Sequence, residues 1–233
     1  MSTRPGPARR RVTHAQAAAL LATRDPVVAR LQADVGPPRL RPPQATHFAA
    51  LVRAIVYQQL AGAAAAAIHG RLVAVLDDDV RPEALLGLSD AALREAGLSA
   101  NKAASLRDLA AKVLDGTVVL SSRGLWGETD DEVVARLTAV RGIGRWTAEM
   151  FLLFQLRRLD VWPTGDLGVR RGFGIAWELP MPTPQELEPL GDPLRPYRSV
   201  VAWYCWRVAE AGRRPPGPAD PGMAPAAQGS RRS

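Results

Sequence analysis

LTAVRGIGRWTAEMFLLFQLRRLDVWPTGDLGVRRG, residues 137–172, sets two helical patterns on either side of Gly142-Ile143-Gly144 and places a lone acid, Asp166, after Pro163-Thr164-Gly165. Residues 131–140 have Val133, Val134, Leu137 and Val140 on one helical face and Asp131, Glu132 and Arg136 on the other, the pattern of an amphipathic helix. Thr129 or Asp130 is positioned to cap it. Gly142 and Gly144 then break the helix, because glycine tolerates positive φ and permits close backbone approach. A second helix is expected from Arg145 to about Leu159, burying Ala148, Phe151, Leu152 and Leu156. Its first N–H groups have no helical partner and carry partial positive charge, so a phosphate oxygen fits there without any side chain. Arg145 in that turn adds charge. A plain helix–helix turn is the other reading of Gly-x-Gly on its own.

The neighbouring residues favour the first reading. Val140-Arg-Gly-Ile-Gly-Arg-Trp-Thr-Ala148 resembles the helix-hairpin-helix of the HhH-GPD superfamily of DNA glycosylases, with Arg141 where proline is common. Trp162-Pro-Thr-Gly-Asp166, followed by Leu-Gly-Val-Arg-Arg171, resembles that family's Gly/Pro-rich loop and catalytic Asp. The resemblance implies an all-α, two-lobed fold with DNA bound in the cleft. It implies backbone contacts from Gly142, Ile143, Gly144, Arg145, Thr147 and Gly165, and phosphate contacts from Arg170 and Arg171. It also implies a monovalent cation, Na+ or K+, on the main-chain carbonyls of Thr138, Val140 and Ile143; no cofactor is otherwise required.

Bifunctional members, which also cut the strand, carry a Lys two residues after the second hairpin glycine. That amine attacks the sugar and forms a Schiff base. Trp146 stands there instead, and the chain has only two lysines, Lys102 and Lys112. A monofunctional hydrolase is therefore expected. Trp146 is similar to the alkyl-base branch, the AlkA-type 3-methyladenine glycosylases, in which aromatic rings line the base pocket. Met150, Tyr57 and Tyr197 are the further pocket candidates. The chemistry is coherent. A purine alkylated at N3 or N7 is cationic and leaves as a neutral base, so it needs little acid help. It can be selected by stacking on an indole, a contact worth about 0.5–2 kcal/mol. Asp166 would stabilise the oxocarbenium-like sugar and orient or deprotonate water. Capping a helix over Leu167–Ala176 is the structural reading of Asp166, and both can hold. Core packing is the structural reading of Trp146.

Two further blocks resemble the family. Residues 46–61, THFAALVRAIVYQQLA, read as a helix burying Phe48, Leu51, Val52, Ile55 and Val56. Its end resembles the segment that supplies a wedge to fill the gap left by an extruded nucleotide. Gln59 or Leu60 is the wedge candidate, against a plain polar helix end. Residues 61–76 form another helix, and Ser99 caps one running to Leu114, read as structural. Residues 194–202, LRPYRSVVA, resemble alkyl-base members. There Pro196 is expected at the first position of a helix, with Arg198 pairing an acid or a phosphate. Trp203 and Trp206 read as core.

Composition is consistent with this. The 233 residues carry a formal charge of +7. Four arginines and no acid occupy residues 1–11, and four arginines against one Asp occupy residues 212–233. Residues 1–13 and 212–233 read as Pro-, Ala- and Arg-rich disordered tails flanking a core over 14–211, with lobes near 46–125 and 126–195. Seven arginines against three acids between 136 and 171 give a basic side suited to phosphates. Cys205 is alone, which excludes disulfide frameworks and the iron–sulfur branches of the superfamily. His14, His47 and His69 lack ligand spacing. No apolar run reaches a membrane span, so a cytoplasmic, DNA-associated monomer acting on double-stranded DNA with a damaged base is expected. Too little chain precedes Thr46 for the β-rich N-terminal domain of some alkyl-base enzymes. The alternatives are the same fold acting on uracil, hypoxanthine or oxidised purines, and a noncatalytic hairpin module.

Overall fold

Ser, Thr and Asp side chains start most of the helices. The computed structural model describes residues 12–212; the stretches 1–11 and 213–233, most of what the sequence assigns to tails, lie outside the described residues. Thr13, placed by sequence in the first tail, instead forms a capping box with Gln16 at the start of α1 (His14–Ala22). Asp25 caps α2 (Pro26–Val35), with Pro26 in the first turn. Thr46 caps α3 (His47–Tyr57), and α4 (Gly62–Val75) follows. After α5 (Pro82–Gly87) and α6 (Asp90–Glu95), Ser99 caps α7 (Ala100–Leu114) as expected. Then come α8 (Ser122–Gly127) and α9 (Asp130–Thr138), the latter with Thr129 and Glu132 in a capping box. The remaining helices are α10 (Arg145–Met150), α11 (Leu167–Ala176), α12 (Pro184–Leu190) and α13 (Arg198–Ala211). No strand occurs among the described residues.

Three helix expectations need correction. The helix read over residues 46–61 ends at Tyr57, because Gln59 takes a left-handed φ of +56°. The helix expected over Arg145–Leu159 is regular only to Met150; Phe151–Gln155 is a π-helical turn, closed by the Leu156 amide on the Phe151 carbonyl at 3.0 Å. Arg157 then takes a φ of +59°, which stops the helix. The last helix starts at Arg198, not at Pro196. Its leading amides are taken by the preceding loop: Asp160 accepts the Arg198 N–H at 3.3 Å, and the Leu159 carbonyl accepts that of Ser199 at 3.0 Å. A tertiary contact, invisible to local propensity, sets the boundary.

The helices pack as two groups around one continuous apolar core. In the first, α3 packs on α4, α7 and the π-turn, α5 and α6 on α7, and α9 on α10. In the second, α1 and α2 pack on each other and on α13, which lies along α11 in the most extensive helix pair of the fold. The boundary expected near residue 125 falls inside the first group. The chain crosses between groups along 156–166, and Asp166 stands at the end of that crossing.

Candidate active site

The hairpin between α9 and α10 is held by close packing. Gly142 has φ +77°, and a Cβ there would lie 2.5 Å from Ser105 Oγ of α7. Both the conformation and the space exclude a side chain. Ile143 is buried and donates its N–H to the Val140 carbonyl at 3.1 Å. That carbonyl, with those of Thr138 and Ile143, belongs to the expected cation set, and it keeps one lone pair. Gly144 is exposed, a Cβ on it would meet nothing within 4 Å, and no side chain caps the α10 start it precedes. A backbone oxyanion can approach these amides. Arg145 beside them is mostly exposed; its Nε donates to Glu149 Oε1 at 2.9 Å. Glu149 is buried, and that burial pushes its carboxyl up to about 7, against the opposing charge of Arg145 and with smaller contributions from Asp166 and Glu188.

Asp166 is the centre of the site. It is only 7% exposed. Its backbone N–H closes a turn onto the Pro163 carbonyl at 2.9 Å. Its Oδ1 accepts the Val169 N–H at 2.9 Å and so caps α11. The capping reading thus describes its geometry. Capping leaves the rest of the carboxylate to two indoles. Trp146 Nε1, from α10, donates to Oδ2 at 2.6 Å, and Trp206 Nε1, from α13, donates to Oδ1 at 3.0 Å. The three donors hold the carboxylate in one orientation. The flanking aromatic and apolar groups lower the local dielectric, so its charge acts strongly on anything cationic placed against it.

The other predicted residues are sorted by the fold. Met150 is buried one turn beyond Trp146, on the same helical face. Thr147 is buried and accepts Gln58 Nε2 at 3.2 Å. Gln59 is exposed at the end of α3 with φ +56°, and Leu60 is half-buried. Gly165 is exposed beside Asp166. Tyr57 lies under the Arg53 guanidinium, 3.9 Å from the ring centre, and against His69 of α4. Tyr197 precedes α13 and lines a separate cavity with His14, Trp126 and Pro196. Its ring lies under the Arg24 guanidinium, 5.8 Å from the ring centre. Arg198 takes the acid-pairing alternative: it is buried, with Nε 2.9 Å and Nη2 3.0 Å from the Asp160 carboxylate, and is not free for phosphate. Arg170 donates to the Pro182 carbonyl at 2.7 Å, and Arg171 extends toward Gly212 at the end of α13.

The sequence reads Trp206 as core. It is 2% exposed and stacks on Phe154 at 5.6 Å, so that reading describes its packing and misses its hydrogen bond. Nothing local marks a tryptophan forty residues from Asp166 as its partner. Gln58 and Lys102 tie α3 and α7 to the hairpin region, a role that nothing in their local sequence marks. No metal-ligating cluster of His, Cys, Asp or Glu occurs among the described residues, and no described helix is long and apolar enough to cross a membrane.

A helix–Gly-Ile-Gly–helix turn, whose second helix donates an indole N–H to a buried carboxylate, defines a helix-hairpin-helix protein. Residues 52–195 match the family model of the HhH-GPD superfamily base excision DNA repair proteins, and the chain belongs to that superfamily. DNA-3-methyladenine glycosylase 1 of Schizosaccharomyces pombe is 34% identical over 163 residues, 69% of this chain and 71% of the relative. Among solved structures, the S. pombe 3-methyladenine DNA glycosylase Mag1 in complex with abasic DNA aligns with TM-score 0.73 at 31% identity. It covers 84% of this chain and 97% of that one. The DNA-3-methyladenine glycosidase of Bacillus halodurans aligns with TM-score 0.75 at 34% identity, covering 84% and 90%.

Proposed function

We propose that this protein is a monofunctional alkyl-base DNA glycosylase, hydrolysing the N-glycosidic bond of N3- or N7-alkylated purines extruded from duplex DNA. The observation that carries the reading is the Asp166 carboxylate, buried and held by Trp146 and Trp206. As the cationic base departs neutral, positive charge develops on the sugar. A fixed carboxylate in a poorly solvated site stabilises that charge with no reorganisation, and can align a water on the opposite side. The indole of Trp146, only half-buried, offers an electron-rich face to an alkylated ring.

Both lysines support hydrolysis without a Schiff base. Lys102 Nζ is held by the Val56 and Gln58 carbonyls, and Lys112 Nζ by Asp108 and the Ala139 carbonyl. Neither shares a contact with Asp166. The exposed α10 start, with Gly142, Ile143, Gly144 and Arg145, would seat a phosphate, reinforced by a monovalent cation on the Thr138, Val140 and Ile143 carbonyls. Gln59, exposed at its turn, is the better-placed wedge than half-buried Leu60.

The test is base release from methylated duplex DNA, chromatographed, with borohydride trapping in parallel. Free methylpurine without a trapped adduct is expected. The Asp166→Asn variant is expected to release none while binding DNA within a few fold of wild type. A trapped adduct would overturn the monofunctional assignment, and full activity of the variant would remove Asp166 from the chemistry.

A further inference from the structure

The face of α7 that meets the hairpin carries an unusual set of contacts. Asn101, Lys102, Ser105, Asp108 and Lys112 recur at helical spacing along it. At the far end, Lys112 Nζ donates to the Ala139 carbonyl at 2.7 Å, and Asp108 Oδ2 accepts the Arg141 N–H at 2.7 Å. In the middle, Ser105 fills the space that a side chain at Gly142 would need. At the near end, Lys102 Nζ donates to the carbonyls of Val56 at 2.6 Å and Gln58 at 2.8 Å. Those carbonyls end α3, where orphan acceptors and the negative end of the helix dipole favour a cation. One helix therefore touches both the phosphate-facing hairpin and the turn that presents Gln59.

That turn needs such support. Gln59 has φ +56°, a left-handed conformation that a non-glycine residue keeps only where its surroundings over-determine it. Its predecessor is fixed on both sides. The Gln58 carbonyl is held by Lys102, and the Gln58 side-chain amide donates to the Gly142 carbonyl at 2.9 Å and Thr147 Oγ1 at 3.2 Å. The Gln59 turn is thereby tied directly to the glycine of the hairpin and to α10, which carries Trp146.

We infer that Lys102 and Gln58 are positioning residues for nucleotide extrusion, coupling the Gln59 turn to the hairpin so that wedge insertion and backbone grip occur as one rigid motion. This rests on the glycosylase reading above. Neither residue touches the reacting atoms. Their contribution is to keep the wedge at a fixed distance from the phosphate that the hairpin holds, because effects that depend on placement are lost when the group swings.

The test uses Lys102→Met, which keeps the apolar stem and removes the donors, and Gln58→Ala, in the full chain. Single-turnover release of methylpurine is compared between fully paired duplex and a single strand, where no stacked neighbour must be parted. Thermal unfolding is recorded for each. Wedge insertion is read separately, by the fluorescence of 2-aminopurine placed beside a tetrahydrofuran abasic analogue in duplex, which needs no base release. The expected result is a loss of at least tenfold on duplex in each variant, a change under threefold on single strand, and a 2-aminopurine response slowed by a similar factor to the duplex loss. Equal losses on both substrates, or unchanged rates on both, would overturn the inference. Should the wild type release no base, the proposed function fails, but the 2-aminopurine response still decides the coupling: an unchanged response in both variants refutes it.

Discussion

Replacing Gly172 by alanine should disable the site through a single methyl group. Gly172 lies in α11 where α13 crosses it. A Cβ there would stand 1.9 Å from the Cys205 carbonyl oxygen, 2.4 Å from its carbon and 2.6 Å from its Cα. All three are backbone atoms of a buried helix, so no rotamer change relieves the clash. Ordinary contact begins at 3.4 Å, so the helices must part locally by about 1.5 Å. The same pair of helices carries Asp166 and Trp206, whose bond is 3.0 Å long. A displacement of that size breaks it. Overpacking costs about 1–3 kcal/mol, and a hydrogen bond to a charged group is worth about 1.5–3 kcal/mol. The sum lowers the unfolding midpoint by about 10 °C in a chain of this length. Misplacement by about 1 Å lowers the rate of a positioned reaction by about a hundredfold. The assay is single-turnover methylpurine release together with thermal unfolding, with Gly70→Ala as the control. A Cβ at Gly70, on α4, would meet nothing within 4 Å. Release within threefold of wild type and an unchanged midpoint for Gly172→Ala would refute the claim that this crossing sets the carboxylate's geometry.

Trp206→Phe keeps most of the ring stacked on Phe154 and deletes one donor to Asp166. The rate of base release should fall about 10- to 100-fold, the equivalent of a charged hydrogen bond, with little change in KM; a pure KM effect would mean that Trp206 only packs. Glu149→Gln tests the buried carboxyl near the hairpin. Its folded-state value of about 7 lies above the ordinary 4.5, so the folded protein binds the extra proton, and stability falls as pH rises from about 4.5 to about 7. The deficit above that window is about 3 kcal/mol. The variant should therefore unfold several degrees higher than wild type at pH 8, with the difference closing toward pH 4.5. A difference independent of pH would show that Glu149 is not held in this way.

Much of this molecule was legible because it is local. Apolar periodicity marks α3 and α9, and a run of alanines marks α4. Ser99 and Thr129 announce helix starts, because a short hydroxyl reaches an amide within its own turn. The hairpin and Asp166 lie within one continuous stretch, and Asp166 caps the helix that follows it. Where boundaries were misplaced, distant groups had intervened: Asp160 and Leu159 capture the first amides of α13, and the π-turn follows the packing of Phe151–Gln155 against α3.

The sequence by itself determined the helices on either side of the hairpin, the Gly-Ile-Gly turn, the acid after Pro163-Thr164-Gly165, and the tryptophan where bifunctional enzymes carry a lysine. Each depends on residues a few positions apart, whose spacing backbone geometry alone converts into a shape. Only the tertiary structure decided which aromatic groups grip Asp166, that Tyr197 lines a cavity with His14 and Trp126, that Arg198 is consumed by Asp160, and that α7 joins the Gln59 turn to the hairpin. Those facts depend on how closely helices cross. The α11–α13 crossing is set by the absence of a side chain at Gly172, and a glycine in a sequence does not say which backbone will lie against it.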